Sequence, residues 1–271
     1  MLIGAIWLTG NSLTAPANHT VGNCPEDLHC ENVEFVSESG AIIKGWFLPG
    51  EKGKGAVVLM HGVRANRLEL IERIRFLHKA GFSVLAFDFQ ASGESIGTQI
   101  TFGFLESLDG EASIRFIKEK LPEEKIGVLG VSMGGAAFLL AKNMPETDAL
   151  ILEMVYPTMQ KAVENRLNLW FFRGAENLSP LLTWQFPLRL GVSVDELRPI
   201  DKISNLKIPV LVIAGENDEH TTLEESKQLF GAANEPKELW IVPRAAPEDL
   251  LKIAPAEDEK RVSRFFQNTL R

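Results

Sequence analysis

The sequence predicts an α/β domain built on a mostly parallel sheet, and three observations carry that expectation. Short apolar runs of strand character alternate with amphipathic helical stretches along most of the chain. The apolar runs are continuous, and strands of that kind are buried on both faces, which requires helices on both sides of the sheet. With 271 residues, 45% of them hydrophobic, the chain can bury a large core in one domain.

The elements follow in order. Met1 to Leu8 is apolar but too short to span a bilayer, which takes about 20 residues. No basic run precedes it, although Ala15-Pro16-Ala17 has the small-residue spacing of a cleavage site. Residues 1–31 therefore read as an N-terminal tail or residual anchor, with export, membrane attachment and a cytosolic location all open. The two cysteines, Cys24 and Cys30, lie close enough for a small-loop disulfide or can stand as free thiols. Asn32 to Ser37 and Ala41 to Phe47 read as a hairpin turning at Glu38-Ser39-Gly40. Strand and helix then alternate: Ala56 to Met60 with Arg67 to Ala80, Ser83 to Asp88 with Ser107 to Lys120, Ile126 to Leu129 with Ala136 to Lys142, then Asp148 to Glu153. Pro209 to Gly215, Thr222 to Phe230, Lys237 to Val242 and Glu257 to Leu270 resume the rhythm, so residues 32–271 form one domain.

Between those two blocks, Tyr156 to Lys207 lacks strand patterning and carries Trp170, Phe171, Phe172, Trp184 and Phe186 among helix formers. It reads as a helical cap inserted at about residues 156–207. Its aromatics either line an apolar pocket or pack onto the sheet. A net charge of −8 with no long basic run argues against nucleic acid as a partner. No metal-ligand cluster or cofactor motif is present, which leaves a small-molecule ester or other apolar ligand as the expected partner and the N-terminal tail as a possible membrane contact.

The most informative stretch is Gly130-Val131-Ser132-Met133-Gly134, between an apolar strand and a helix. A very tight strand-to-helix turn needs glycine on both sides of the serine, because a Cβ at either place collides with neighbouring backbone. Ser132 then projects its hydroxyl over the sheet edge as a candidate nucleophile, and the Met133 N–H at the helix N-terminus can stabilise an oxyanion. His61-Gly62-Val63 follows the strand ending at Met60, where the Val63 N–H can be the second donor. The acid is expected after the strand that follows the cap, where Asp218 is favoured over Glu216 and Glu219. The base is expected after the last strand, in Pro243-Arg244-Ala245-Ala246-Pro247-Glu248-Asp249, which holds no imidazole. His220 is the remaining candidate base. Arg64 and Arg67 read as solvated surface or as contacts for an anionic substrate. Asp88 and Ser95 read as loop-fixing residues.

From Val33 onward the chain resembles the α/β-hydrolase superfamily. It looks most like a membrane-anchored serine-hydrolase branch, through His61-Gly62-Val63-Arg64-Ala65-Asn66-Arg67, Asp88-Phe89-Gln90-Ala91-Ser92-Gly93-Glu94-Ser95, Gly130-Val131-Ser132-Met133-Gly134-Gly135 and Pro209 to Gly215. The resemblance implies an eight-stranded sheet, a carboxylic-ester hydrolase acting through an acyl-enzyme on Ser132, and no cofactor. It also implies that Pro247 stands where the catalytic His belongs and Arg244 where Gly is common. Proline cannot accept a proton, and losing such a base costs on the order of a millionfold in kcat. The implied alternatives are therefore an esterase of weak activity and an inactive relative that binds a ligand or protein partner in the capped pocket.

Overall fold

The computed structural model describes residues 2–246 and 250–271, with side chains apart from those of residues 2, 3 and 5. The elements run α1 (Leu2–Thr14), β1 (Ala17–Asn18), β2 (Glu31–Val36), β3 (Ile42–Leu48), β4 (Ala56–Met60), α2 (Ile71–Lys79), β5 (Ser83–Phe87), β6 (Ser92–Gly93) and α3 (Phe104–Lys120). They continue with β7 (Ile126–Val131), α4 (Met133–Leu140), β8 (Ala149–Glu153), α5 (Met159–Trp170), α6 (Pro180–Thr183), α7 (Phe186–Leu190) and α8 (Ile200–Ile203). The last are β9 (Val210–Gly215), α9 (Leu223–Ala232), β10 (Lys237–Val242), α10 (Leu250–Ile253) and α11 (Pro255–Thr269).

The main sheet has eight strands in the order β10-β9-β8-β7-β4-β5-β3-β2. Every pairing from β5 through β10 is parallel, and only β2 and β3 run antiparallel to their neighbours. Successive residues of one strand enter opposite layers of core. Val58, Met60 and Val128 pack on one face of the sheet, while Val57, Leu59 and Leu129 pack on the other. This is the period-2 alternation of a strand covered on both sides, and it accounts for the continuous apolar runs in the sequence. The carboxyl ends of β4, β7, β8, β9 and β10 meet at one edge, where open α/β sheets place their ligand crevices.

One expectation changes here. Arg67 is neither solvated nor free for substrate: it is buried, ion-paired with Asp88 and Glu94, and its guanidinium lies 4.6 Å from the centre of the Trp46 ring. A buried guanidinium between two carboxylates is a structural tie, because removing either side leaves an uncompensated charge in the interior. Asp88 also accepts the Glu94 N–H, and Ser95 Oγ donates to the Asp88 carbonyl at 2.6 Å, so this loop is fixed by the residues that the sequence marks.

The N-terminal residues form part of the packed molecule. Helix α1 lies against the segment around α6, the Ile100 N–H donates to the Thr14 carbonyl at 2.8 Å, and β1 pairs in parallel with β6. Cys24 and Cys30 are disulfide-bonded, closing a loop whose Leu28 is buried in the core. Among the described residues, no helix is long and apolar enough to cross a membrane.

Candidate active site

A cavity of about 480 Å³ opens at the carboxyl edge of the sheet. Ser132, Val63, Met133, Asp218 and His220 all line it, although they come from three different loops. Pro247 lies outside the described residues.

Ser132 occupies the junction of β7 and α4 with φ 48° and ψ −113°. A non-glycine residue held at positive φ is strained by on the order of 1–3 kcal/mol, so the surroundings must enforce it. They do so by close packing. A Cβ on Gly130 would come within 2.5 Å of the Gly135 Cα, and one on Gly134 within 2.3 Å of the Met60 carbonyl. The Ser132 N–H donates to the Glu153 carbonyl at 2.7 Å, which ties the turn to the end of β8. Its Oγ has no hydrogen-bond partner among the described residues and faces the cavity only half-buried.

The His61-Gly62-Val63 turn is held by its own polar groups. The Phe89 N–H donates to His61 Nε2 at 3.0 Å, so Nδ1 carries the proton and donates to the Gly62 carbonyl at 2.7 Å. Burial pushes this imidazole below its ordinary pKa, as a neutral structural ring requires. The Gly62 N–H is taken by Glu69 at 2.7 Å. The N–H groups of Val63 and Met133 donate to nothing among the described residues.

Asp218 is buried, on the loop after β9. One of its oxygens accepts the N–H groups of His220 and Thr221 at 2.7 and 2.9 Å. Burial raises its carboxyl above the ordinary value, and those two donors act in the opposite direction. The rival acids have different surroundings. Glu216 is exposed and accepts the Arg244 N–H at 2.8 Å, joining the loops after β9 and β10, while Glu219 is exposed. His220 is half-buried. Its carbonyl accepts Arg166 Nη1 at 2.7 Å, and burial, followed by the Arg166 charge, holds its imidazole below its ordinary pKa. Among the described residues, no hydrogen bond joins the His220 ring to Asp218 or Ser132.

Several cavity residues are absent from the sequence reading. Arg73, from α2, is buried and pairs with Glu153 at 2.7 Å and Asp258 at 3.3 Å, and both Arg73 and Glu153 reach the cavity wall. A carboxylate closing an apolar parallel strand, as Glu153 closes β8, is the sequence signal for such a position. Tyr156 donates to the Phe102 carbonyl at 2.6 Å, and Gly10, Leu13 and Thr14 of α1 add a wall that the sequence reading assigned to a tail. Of the five aromatics marked in residues 156–207, Trp170 and Phe186 line the cavity. Arg64 also lines it while donating to the Ser12 and Ala15 carbonyls, so it holds the end of α1.

The sequence profile of the serine aminopeptidase S33 hydrolases matches residues 51–187, which hold β4 to β8 and the Ser132 turn. The chain belongs to this family. Its fold is the α/β-hydrolase fold. The chain is similar to the Pyrococcus furiosus esterase Pf2001, with a TM-score of 0.75 at 25% identity over 94% of this chain and all of that one. It is 26% identical to the Bacillus subtilis protein YqkD over 217 residues, 78% of this chain and 71% of that one. It is also 27% identical to the Arabidopsis thaliana α/β-hydrolase domain-containing protein WAV2 over 214 residues, 75% of this chain and 66% of that one.

Proposed function

We propose that this hydrolase cleaves carboxylic esters through an acyl-enzyme on Ser132. The observation that carries the reading is the strained turn at Ser132, φ 48°, which holds an unpartnered hydroxyl in the wall of an apolar cavity. In this reading the turn is a nucleophile elbow and residues 156–207 are the cap over it. The Ser132 Oγ attacks the ester carbonyl carbon as its proton passes to a base. The carbonyl oxygen becomes an oxyanion held by the Val63 and Met133 N–H groups, the second at the N-terminus of α4 where the helix dipole adds to it. Collapse expels the alcohol, which takes up the proton, and water then releases the acid by the same steps in reverse order.

His220 is the base available to this scheme. It is neutral at neutral pH, as a base must be, and it shares the cavity with Ser132. It sits beside Asp218 on the loop after β9, whereas the base of related hydrolases follows the last strand, where this chain has Pro247. Turnover is accordingly slow. The alternative reading, a binding protein without turnover, rests on that same proline.

The deciding experiment is p-nitrophenyl acetate hydrolysis together with labelling by a fluorophosphonate serine probe. Turnover and stoichiometric labelling that both vanish in Ser132→Ala support the esterase. An unlabelled parent protein no faster than Ser132→Ala establishes the binding reading.

A further inference from the structure

The α1 and α5–α7 segments that border the cavity carry a rim of exposed apolar side chains. Leu8, Trp170, Phe171, Phe172, Trp184 and Leu188 are all exposed, and Phe171 and Leu188 keep 66% and 73% of their surface in water. They come from α1 and from the α5–α7 segment, and these two pieces are joined. The Trp7 and Trp184 rings lie 6.1 Å apart, Arg189 stacks 4.2 Å from the Trp7 ring centre, and Gln185 donates to the Ile6 carbonyl. The rim is also continuous with the interior, since Trp170, Leu182 and Arg189 line the cavity itself.

Exposed apolar side chains scattered singly need no explanation, but a contiguous patch around a cavity mouth marks an interaction surface. Its charge identifies the partner. Helix α1 carries no charged residue. In residues 165–191 Arg166 is turned into the cavity, where it donates to the His220 carbonyl, while exposed Arg173 and half-buried Arg189 stand against one carboxylate, Glu176, in a chain whose net charge is −8. Tryptophan and phenylalanine beside arginine, on a surface more basic than the rest of the molecule, match the boundary between acyl chains and anionic headgroups.

We propose that α1 and the α5–α7 segment together dock on an anionic phospholipid surface, so that an ester substrate of lipid character enters the cavity directly from the bilayer. The substrate half of this inference rests on the esterase reading above, and the docking half does not. Docking is peripheral: the apolar side chains sit among the upper acyl carbons, Arg173 meets phosphate, and the cavity mouth faces the lipid.

The test is sedimentation of the full chain, parent and Ser132→Ala, with vesicles of phosphatidylcholine alone or of equal parts phosphatidylcholine and phosphatidylglycerol. Both proteins are expected to bind the anionic vesicles. Phe171→Ser with Phe172→Ser is expected to lose about tenfold or more in partitioning. Arg173→Gln is expected to lose about fivefold on anionic vesicles and nothing on neutral ones. Circular dichroism of these exposed-site variants should match the parent. Failure to bind, or binding that ignores these substitutions, overturns the inference. So does a dimer in sedimentation velocity that the double phenylalanine variant dissociates without any vesicle binding, since the patch would then be covered by a second copy. Hydrolysis of soluble p-nitrophenyl acetate without vesicle binding removes this inference and leaves the esterase reading in place. Vesicle binding without hydrolysis does the reverse.

Discussion

Among the non-glycine residues held at positive φ at the carboxyl edge of the sheet, Ser132 at 48° after β7 and Arg244 at 62° after β10 invite comparison. They carry the two halves of the expected chemistry, nucleophile and base, and they differ in what enforces them. The Ser132 turn is locked by packing too close to admit a Cβ on either side, and by the hydrogen bond from its N–H to Glu153. The Arg244 turn is held by hydrogen bonds instead: its N–H donates to the Glu216 carboxylate, the Ala245 N–H to the Val242 carbonyl at 3.4 Å and the Asn217 N–H to the Ala245 carbonyl at 2.8 Å, while the Arg244 side chain is exposed. A turn defined by backbone packing preserves its geometry whatever the neighbouring side chains do. A base, by contrast, is one side chain, and a single substitution removes it.

The largest test of that contrast supplies an imidazole at position 247. Pro247→His is expected to raise kcat/KM for p-nitrophenyl acetate by about 10²- to 10⁴-fold, the usual contribution of a positioned general base. The gain should disappear when Ser132→Ala is added. A variant that stays at the parent rate would mean that a side chain at position 247 does not reach Ser132, and the two turns would then differ in backbone as well as in side chain.

Next in size is the backbone side of the comparison. Gly134→Ala drives a Cβ to 2.3 Å from the Met60 carbonyl, a clash with main chain that cannot swing away. The expected cost is about 1–3 kcal/mol, read as a lower denaturation midpoint, together with loss of serine-probe labelling. Ala246→Ser, half-buried in the base loop, should stay within about 0.5 kcal/mol of the parent. Equal effects at both sites would erase the distinction.

The same division explains what the sequence made legible. The succession of strands and helices along the chain, the hairpin, the Ser132 turn and the loop from Asp88 to Ser95 were all readable, because each rests on local pattern: apolar periodicity, paired glycines, or a polar side chain close to the backbone it bonds. The Arg73 cluster was not, since Arg73, Glu153 and Asp258 lie far apart in sequence and become neighbours only when α2, β8 and α11 pack. Arg67 was misread for a similar reason. A guanidinium is a surface residue by composition, and only the positions of Asp88, Glu94 and Trp46 make its burial tolerable. The role of α1 was hidden because nothing within Leu2–Thr14 specifies the partner residues, Gln185 and Arg189, on which it lies.

A pH profile sharpens the comparison on the base side. If His220 accepts the Ser132 proton, kcat/KM falls as that imidazole is protonated. Burial and Arg166 hold its pKa below the ordinary 6.5, so the acid limb should lie below pH 6.5 and decline tenfold per pH unit. His220→Gln should abolish the limb along with most of the turnover. Persistence of the limb in that variant would assign the proton to another group.

The smallest effect compares the two turns directly, by placing glycine at each. Positive φ costs an L-residue roughly 1–2 kcal/mol, whereas glycine there loses roughly 0.5–1 kcal/mol more chain entropy on folding. Arg244→Gly should therefore stabilise by about 0.5 kcal/mol, a rise of about 1–2 °C in Tm, with the Arg244 position's N–H still bound to Glu216. Ser132→Gly should stabilise by a similar amount and abolish probe labelling. Matching stability gains with opposite consequences for labelling would show that both turns store comparable strain, and that only the serine turn uses it to present a reactive group. A large gain at one site alone would mean that the other turn is not strained, because its neighbours already hold the backbone at no cost to the side chain.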